Sequence, residues 1–404
     1  MFAALQTDGP LEHVWVLDGD VRDAMEPVEQ LTEREPGQDA LDALARIDVD
    51  PDELCCLLLS GGTTGTPKLA AHSHNTIMAF GEAVAGGANC RDRILDLAPS
   101  GGGMGTGGAT FQPLHAGATV VYPDTWDPDE ILELAERERV TMIHTVPPIM
   151  LRLLKSSGFE DRDLGAVRLI FTGGAAMPPS GIRAAEERVE AFLVSCYGAT
   201  DAGFAARTLP QDPAEKRYGT AGSPGHLRGT TLRLLDDNGQ EVAPGEAGLV
   251  AVRSPGTFLG YYADPDLTHD AFTSDGFCIA MSDLAVLGDD GYLRLVGRRD
   301  DMILRGGTNI HPKEIADALM AYPPILDAAI VGFPDEELGE RLCAFVSLAD
   351  PGGPPVTLDE LRDHLSAQGF VRHKLPERLE VRNSIRTDGG KISSSQLRAE
   401  LRGS

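Results

Sequence analysis

An apolar run, Leu54–Leu59, breaks at residues 60–68 into SGGTTGTPK, a cluster of small hydroxyls and glycines that closes on Lys68. These residue types in this order can hold one anion. A strand that ends in glycines turns several backbone N–H groups toward a single point. Gly61, Gly62 and Gly65 let the chain approach closely and take positive φ. Thr63 and Thr64 add hydroxyl donors, and Lys68 adds a charge. Phosphate is the anion that such a constellation suits. A flexible surface loop is the plainer reading of any Gly/Ser/Thr cluster, and the strand–loop–lysine order weighs against it. The stretch departs from the G-x-x-x-x-G-K-[ST] loop of NTPases, because Pro67 precedes Lys68 and Leu69 follows it. A Walker-type ATPase or kinase is thereby disfavoured.

The elements that must position this loop are readable too. At 404 residues, 42% of them hydrophobic, the chain can bury a large core and make more than one domain. A formal net charge of −27 argues against nonspecific binding to nucleic acid or an anionic membrane. No apolar run approaches membrane-spanning length, and MFAALQTDGPLEHVWVLDGD has neither a basic segment nor a cleavage site. The six cysteines lack any Cys-x-x-Cys and read as reduced thiols of a cytoplasmic protein. Buried strands are expected at 54–59, 141–146 and 167–172, and a further strand at 118–123. Helices are expected after Asp127, which stands as N-cap with Glu130 placed for a capping box, and at 179–192. Such alternation predicts an α/β fold with a largely parallel sheet. Residues 220–297 then read as mostly β, with turns at Asn238-Gly239 and Asp290-Gly291. Shorter βα elements follow, including a capping box at Thr357 and Glu360. His72, His74 and His115 read as helix-terminal or core residues, since no acid cluster accompanies them.

Four later stretches give the loop its context. FTGGAAMP (171–178) resembles an adenine-side Gly-Gly-Ala turn, and YGATDAG (197–203) resembles a Tyr-Gly-x-Thr-Glu motif. Residues 281–319 resemble a ribose-binding and hinge segment, and RTDGGKISSSQL (386–397) resembles a Thr-x-x-Gly-Lys motif. In this order they resemble the adenylate-forming superfamily of acyl-CoA synthetases, aryl acid–AMP ligases and adenylation domains. The loop form is most similar to the aryl acid–AMP ligases.

The resemblance implies an N-terminal body, 1–298, with the β-rich subdomain 220–297, and a small mobile α+β domain, 299–404. It implies ATP and Mg2+ as cofactors, a small acid as substrate, and CoA or a carrier-protein thiol as acceptor. Ser60 through Lys68 would cradle the β and γ phosphates. Gly173, Gly174, Ala175, Cys196, Tyr197 and Gly198 would line the adenine, with Tyr197 stacked on it. Thr200 would reach the α-phosphate, Asp201 would hold magnesium, Asp283 would accept from the ribose hydroxyls, and Arg298 would support that side. Lys391 would bridge the attacking oxygen to the α-phosphate, where charge gathers in the transition state. Asp300 is the expected hinge, with Gly306-Gly307 facing the second pose.

The chain also departs from the family pattern. Family members carry on the order of a hundred more residues ahead of the loop. Asp201 stands where Glu is usual, and Ile385 replaces a proline. Gly101, Gly102 and Gly103 occupy the stretch where relatives place His, Asn or an aromatic residue against the acyl group, which removes a wall that would grip an aliphatic chain. The leading expectation is an AMP-forming ligase for a small, aromatic acid. A second is a diazotase that activates nitrite and diazotises an aromatic amine. A third, of another class, is a noncatalytic nucleotide-binding subunit; retention of Lys68, Asp283, Arg298 and Lys391 argues against it.

Overall fold

Short apolar runs alternate with amphipathic helices over residues 93–199, and that alternation builds the sheet on which the site rests. The computed structural model describes residues 15–16, 26–27, 35–60, 68–85, 87–98, 102–350, 352–386 and 392–403. The chain divides into two compact units, residues 1–50 and 51–404. In the first, β1 (Trp15–Val16) pairs in parallel with β2 (Glu26–Pro27), and helix α1 (Gln38–Leu44) has no buried residue.

The second unit begins with β3 (Leu54–Ser60) and β4 (Lys68–Ser73), an antiparallel pair whose ends, Ser60 and Lys68, stand opposite each other. Helix α2 (His74–Ala85) follows directly. A six-stranded sheet comes next, in the order β10-β9-β8-β7-β5-β6. Its members are β5 (Arg93–Asp96), β6 (Thr119–Val121), β7 (Met142–Thr145), β8 (Leu169–Gly173), β9 (Phe192–Ala199) and β10 (Gly203–Arg207). All neighbours are parallel except β9 and β10. Every residue of β7 and β8 is buried, as parallel strands covered on both faces require. On one face Leu95, Ile143, Ile170 and Leu193 pack against α3 (Pro128–Arg137), α4 (Pro147–Leu154) and α5 (Pro179–Val189). On the other, Ile94, Met142, Phe171 and Val194 pack against Ile77 and Phe80 of α2. Burying a side chain such as Phe80 contributes about 1.5–3 kcal/mol.

The β-rich stretch forms an antiparallel sheet, β11-β12-β14-β15, from β11 (Thr231–Leu235), β12 (Ala247–Arg253), β14 (Asp283–Leu287) and β15 (Leu293–Arg298). The short β13 (Gly260–Tyr261) leaves that sheet and pairs with β4, which brings Tyr261 beside the β3–β4 strand pair. From residue 303 onward the chain builds its own cores. Strands β16 (Ile303–Arg305), β17 (Thr308–Ile310), β18 (Ile325–Asp335), β19 (Gly339–Leu348) and β20 (Arg378–Val381) share one sheet. Helices α6 (Pro312–Met320) and α7 (Leu358–Ala367) cover one face of it, and α8 (Ser394–Gly403) packs on the other.

Two local expectations change. Strand β3 exists but is not buried: Leu57 and Leu59 are exposed, because β3 is the edge of a three-stranded sheet and only alternate residues face the body. At α3 the Asp127 carboxylate caps the Asp129 and Glu130 N–H groups, yet no reciprocal capping box closes. Thr125 Oγ1 takes the Asp127 N–H that Glu130 was expected to accept. The Thr357–Glu360 box does form.

Candidate functional site

The turn that joins β9 to β10 carries Thr200 and Asp201, and groups from separate elements fix both. Asp201 is 4% exposed. Its Oδ2 accepts from Ser60 Oγ at 2.9 Å and from the Tyr261 hydroxyl at 2.6 Å. His72 of β4 is fully buried. Its Nε2 lies 2.9 Å from the Thr200 carbonyl, so that nitrogen carries the proton and donates. His72 Nδ1 meets Thr76 Oγ1 at 3.1 Å. Burial holds the His72 ring below its ordinary pKa, against the opposing pull of the Thr200 carbonyl and the Asp201 charge. Thr200 Oγ1 accepts from the Gly103 N–H at 3.3 Å. Lys68 Nζ stands 5.1 Å from the centre of the Tyr261 ring, a cation–π distance. Burial and the neighbouring Asp201 push the Tyr261 hydroxyl far above its usual range, so it stays a donor.

Fitness for a metal can be judged from this carboxylate. Both hydroxyl donors reach Oδ2, and among the described residues Oδ1 accepts no hydrogen bond. A carboxylate oxygen left without a hydrogen bond suits a magnesium ion that would share its other ligands with phosphates and water.

A second cluster lies on the β14–β15 side. The Tyr197 hydroxyl donates to Asp283 Oδ2 at 2.8 Å, and Arg298 Nε donates to Asp283 Oδ1 at 3.2 Å. Burial raises the Asp283 carboxyl, while Arg298 and the Tyr197 hydroxyl pull it back down. Tyr197 is itself pushed well up by burial and by Asp283. The two partners of Asp283 thus orient a carboxylate that can accept from a diol.

The Gly-Gly-Ala turn follows β8. A side chain at Gly173 would meet the Cys196 carbonyl at 2.9 Å and Met104 Sδ at 3.0 Å, so only glycine allows this approach. Cys196 is buried, its thiol is pushed up by burial, and its Sγ lies 3.6 Å from the Ala206 carbonyl. It is a packing residue rather than a nucleophile. Gly198 pairs with Phe204 across the β9–β10 hairpin, and Gly174 takes φ +78°. Asp300 sits in the turn Arg299–Asp301, where Arg398 of α8 donates to the Asp300 and Asp301 carbonyls at 3.0 and 2.9 Å.

The glycine stretch departs from its expected part. Gly102 has open space toward Thr200, whose Oγ1 would lie 3.9 Å from an added side chain. At Gly103 an added side chain would strike the Phe80 ring at 2.8 Å. The second glycine therefore serves close packing on α2, and aromatic rings replace the wall beneath it. Phe80 meets His72 and Phe204 edge-on at 5.5 and 5.2 Å.

Gly61, Gly62, Thr63, Thr64, Gly65, Gly101 and Lys391 lie outside the described residues. Sequence reasoning missed Tyr261, the role of His72, and Arg398. Nothing local in LGYY marks Tyr261, because its position follows from the departure of β13 to β4.

Comparison with known proteins accords with this geometry. Residues 3–262 match the AMP-binding enzyme family, and 314–391 match the AMP-binding enzyme C-terminal domain. The chain is 35% identical over 400 residues to a 2-hydroxy-7-methoxy-5-methyl-1-naphthoate–CoA ligase of Streptomyces carzinostaticus, covering 96% of this chain and 70% of that one. It is 33% identical over 353 residues to a medium-chain fatty-acid–CoA ligase of Escherichia coli (strain K12), covering 87% of this chain and 62% of the relative. The chain thus spans about two thirds of the length of such relatives. Among solved structures it resembles the anthranilate CoA ligase AuaEII in complex with anthranoyl-AMP, with a TM-score of 0.85 and 25% identity over 99% of this chain and 76% of that one. No helix among the described residues is long and apolar enough to cross a membrane. On the two family matches and on identity that runs nearly end to end, the chain belongs to the AMP-binding enzyme family.

Proposed function

We propose that the chain is an ATP-dependent adenylating ligase for an aryl acid. The acid's carboxylate oxygen attacks the α-phosphorus of ATP, the bond to the β-phosphate oxygen breaks, and pyrophosphate leaves with its electron pair. The resulting aroyl-AMP then meets a thiol of CoA or a carrier protein. The thiolate attacks the carbonyl carbon and AMP departs.

The observation that carries this reading is the Thr200–Asp201 turn, held at once by His72, Gly103, Ser60 and Tyr261. In-line phosphoryl chemistry asks the protein mainly for fixed positions and fixed charge. Thr200 is the α-phosphate contact, Asp201 the magnesium ligand, and Asp283 with Arg298 the ribose clamp. Lys391 is the cation brought in by residues 299–404, with Asp300 as the pivot. Mg2+ held by Asp201 would neutralise charge on the phosphates. An aryl acid is favoured by the similarity to ligases named for naphthoate and anthranilate, and by the aromatic rings under Gly103.

The test measures AMP formation with three sets of substrates. An aryl acid with CoA should drive turnover, and a long-chain fatty acid should fail. Nitrite with an arylamine, and no thiol, should give nothing; robust turnover with that pair would replace the ligase reading with a diazotase. Robust turnover of the fatty acid would overturn the aryl assignment.

A further inference from the structure

Asp96 is the last residue of β5 and His144 the third of the adjacent parallel strand β7, and the two stand opposite each other in register. Asp96 follows the apolar pair Ile94-Leu95, and His144 follows the apolar pair Met142-Ile143. Both are buried, at 4% and 1% exposure. His144 Nδ1 lies 3.9 Å from Asp96 Oδ1, too far for a hydrogen bond. Among the described residues neither His144 ring nitrogen completes a hydrogen bond, and neither does Asp96 Oδ1, although the Ala98 backbone supports the carboxyl and the Gly108 backbone lies near the ring. The neighbouring aromatic contact is Phe171, 5.5 Å from the His144 ring centre. Among the described residues Tyr122 also faces the carboxyl, its hydroxyl raised by burial and by the Asp96 charge.

Such a pair is costly to keep. Each buried polar group without a partner costs about 1–3 kcal/mol. Burial holds the Asp96 carboxyl up at about 7 and the His144 ring down at about 3, so burial disfavours the charged form of each. Above the pair runs the glycine-rich segment, and Gly107–Phe111 within it is a single π-helical turn. Single π-helical turns are rare and recur at functional sites. The segment begins at Gly103, which touches Thr200. The pair and the α-phosphate contact therefore lie at two parts of one cover.

We infer that Asp96 and His144 form a polar subsite for a hydrogen-bond-donating substituent, an amino or hydroxyl group, on the ring of the activated acid. This rests on the aryl acid reading above. The gap fits the assignment. A nitrogen or oxygen placed about 2.8 Å from both Oδ1 and Nδ1 would subtend an angle of roughly 90°, within reach of one such group. A hydroxyl would donate to Asp96 and accept from a protonated His144 Nδ1, whereas an amine would donate to both.

The experiment is ATP–pyrophosphate exchange by the full chain with benzoate and with its ortho, meta and para amino and hydroxy derivatives. At least one derivative should exceed benzoate tenfold or more in kcat/KM, as sites built around buried polar groups discriminate. His144→Phe and Asp96→Leu, each roughly preserving volume, should abolish that preference while benzoate still exchanges. Equal use of benzoate and all derivatives by the parent, or a preference that survives both variants, overturns the subsite and leaves only a bridging water there. Exchange with none of these acids would sink the aryl reading instead. The subsite is then judged by thermal shift: 4-aminobenzoate, 3-aminobenzoate or 2-aminobenzoate should raise the parent's Tm where benzoate does not, and no difference among the four rejects it. Should Asp96→Leu fail to fold, His144→Phe alone carries the comparison.

Discussion

The Thr200–Asp201 turn and the Asp96–His144 pair are both buried and both polar, yet they are finished in opposite ways. At the turn the Thr200 carbonyl, the Thr200 hydroxyl and Asp201 Oδ2 each meet a protein partner, from Ser60, His72, Gly103 and Tyr261, and only Asp201 Oδ1 is left over among the described residues. At the pair, three polar atoms meet none among the described residues. A completed network is rigid before substrate arrives, which suits the fixed electrostatics of phosphoryl transfer. An incomplete one stays expensive until something from outside completes it. On the function and subsite proposed above, the turn serves adenylation and the pair serves selection among acids.

The largest effect should come from the charge that joins the turn only during reaction. Lys391→Ala should lower adenylation by at least about 10²–10³ while ATP binding persists, since a transition-state contact is lost and the ground state keeps its other contacts. Single-turnover kinetics set beside equilibrium ATP binding read this directly, and near-normal turnover would remove Lys391 from the mechanism.

Next comes the completed network itself. Asp201→Asn should lose on the order of 10² in activity and shift the magnesium dependence, because magnesium favours a carboxylate oxygen. Asp201→Glu should stay active. If Asp201→Asn titrates with magnesium as the parent does, the carboxylate only ties Ser60 to Tyr261.

The incomplete pair should show itself in stability against pH. The Asp96 carboxyl is raised from 3.8 to about 7 in the folded state, so its contribution is greatest below 3.8 and is lost as pH rises through 7. His144 is lowered from 6.5 to about 3, so its contribution is present above 6.5 and is lost as pH falls toward 3. Between about 4 and 6.5 the two slopes cancel, and above that window Asp96 alone costs stability. Asp96→Asn should therefore gain on the parent by about 2–3 kcal/mol more at pH 8 than at pH 5, at about 1.4 kcal/mol per pKa unit. Urea unfolding at the two pH values measures it. A difference that does not change with pH would mean that the carboxyl is solvated or paired.

The smallest effect belongs to the hinge turn. Arg398→Ala removes the two donors to the Asp300 and Asp301 carbonyls at a partly exposed position. It should alter the ratio of thioester formation to adenylation by less than about tenfold. An unchanged ratio would detach α8 from the pose of residues 299–404.

Much of this was legible in the sequence, for identifiable reasons. Parallel strands covered on both faces leave uninterrupted apolar runs, so β7 and β8 stood out, and the cap at Asp127 and the box at Thr357 are local chemistry. The motifs brought Thr200, Asp201, Asp283 and Arg298 forward because their order along the chain is itself information. Long-range register was not legible. Tyr261 reaches Asp201 only because β13 pairs with β4, and His72 reaches the Thr200 carbonyl across 128 residues of sequence. The glycines at 102 and 103 looked alike, and only packing separates the open one from the one pressed on Phe80. Asp96 and His144 did carry a signal, a charge and an imidazole each following an apolar pair, but their pairing needed the β5–β7 register.

The most direct test of adenylation is to withhold the thiol. Incubated with ATP, Mg2+ and a preferred aryl acid alone, the protein should accumulate one aroyl-AMP per active site, seen by mass spectrometry, together with one pyrophosphate. Added CoA or carrier thiol should then discharge it as thioester and AMP. ATP consumed to ADP and phosphate, or no acid-dependent adenylate under any of these conditions, would contradict the assignment of Thr200, Asp201 and Lys391 to adenylate formation.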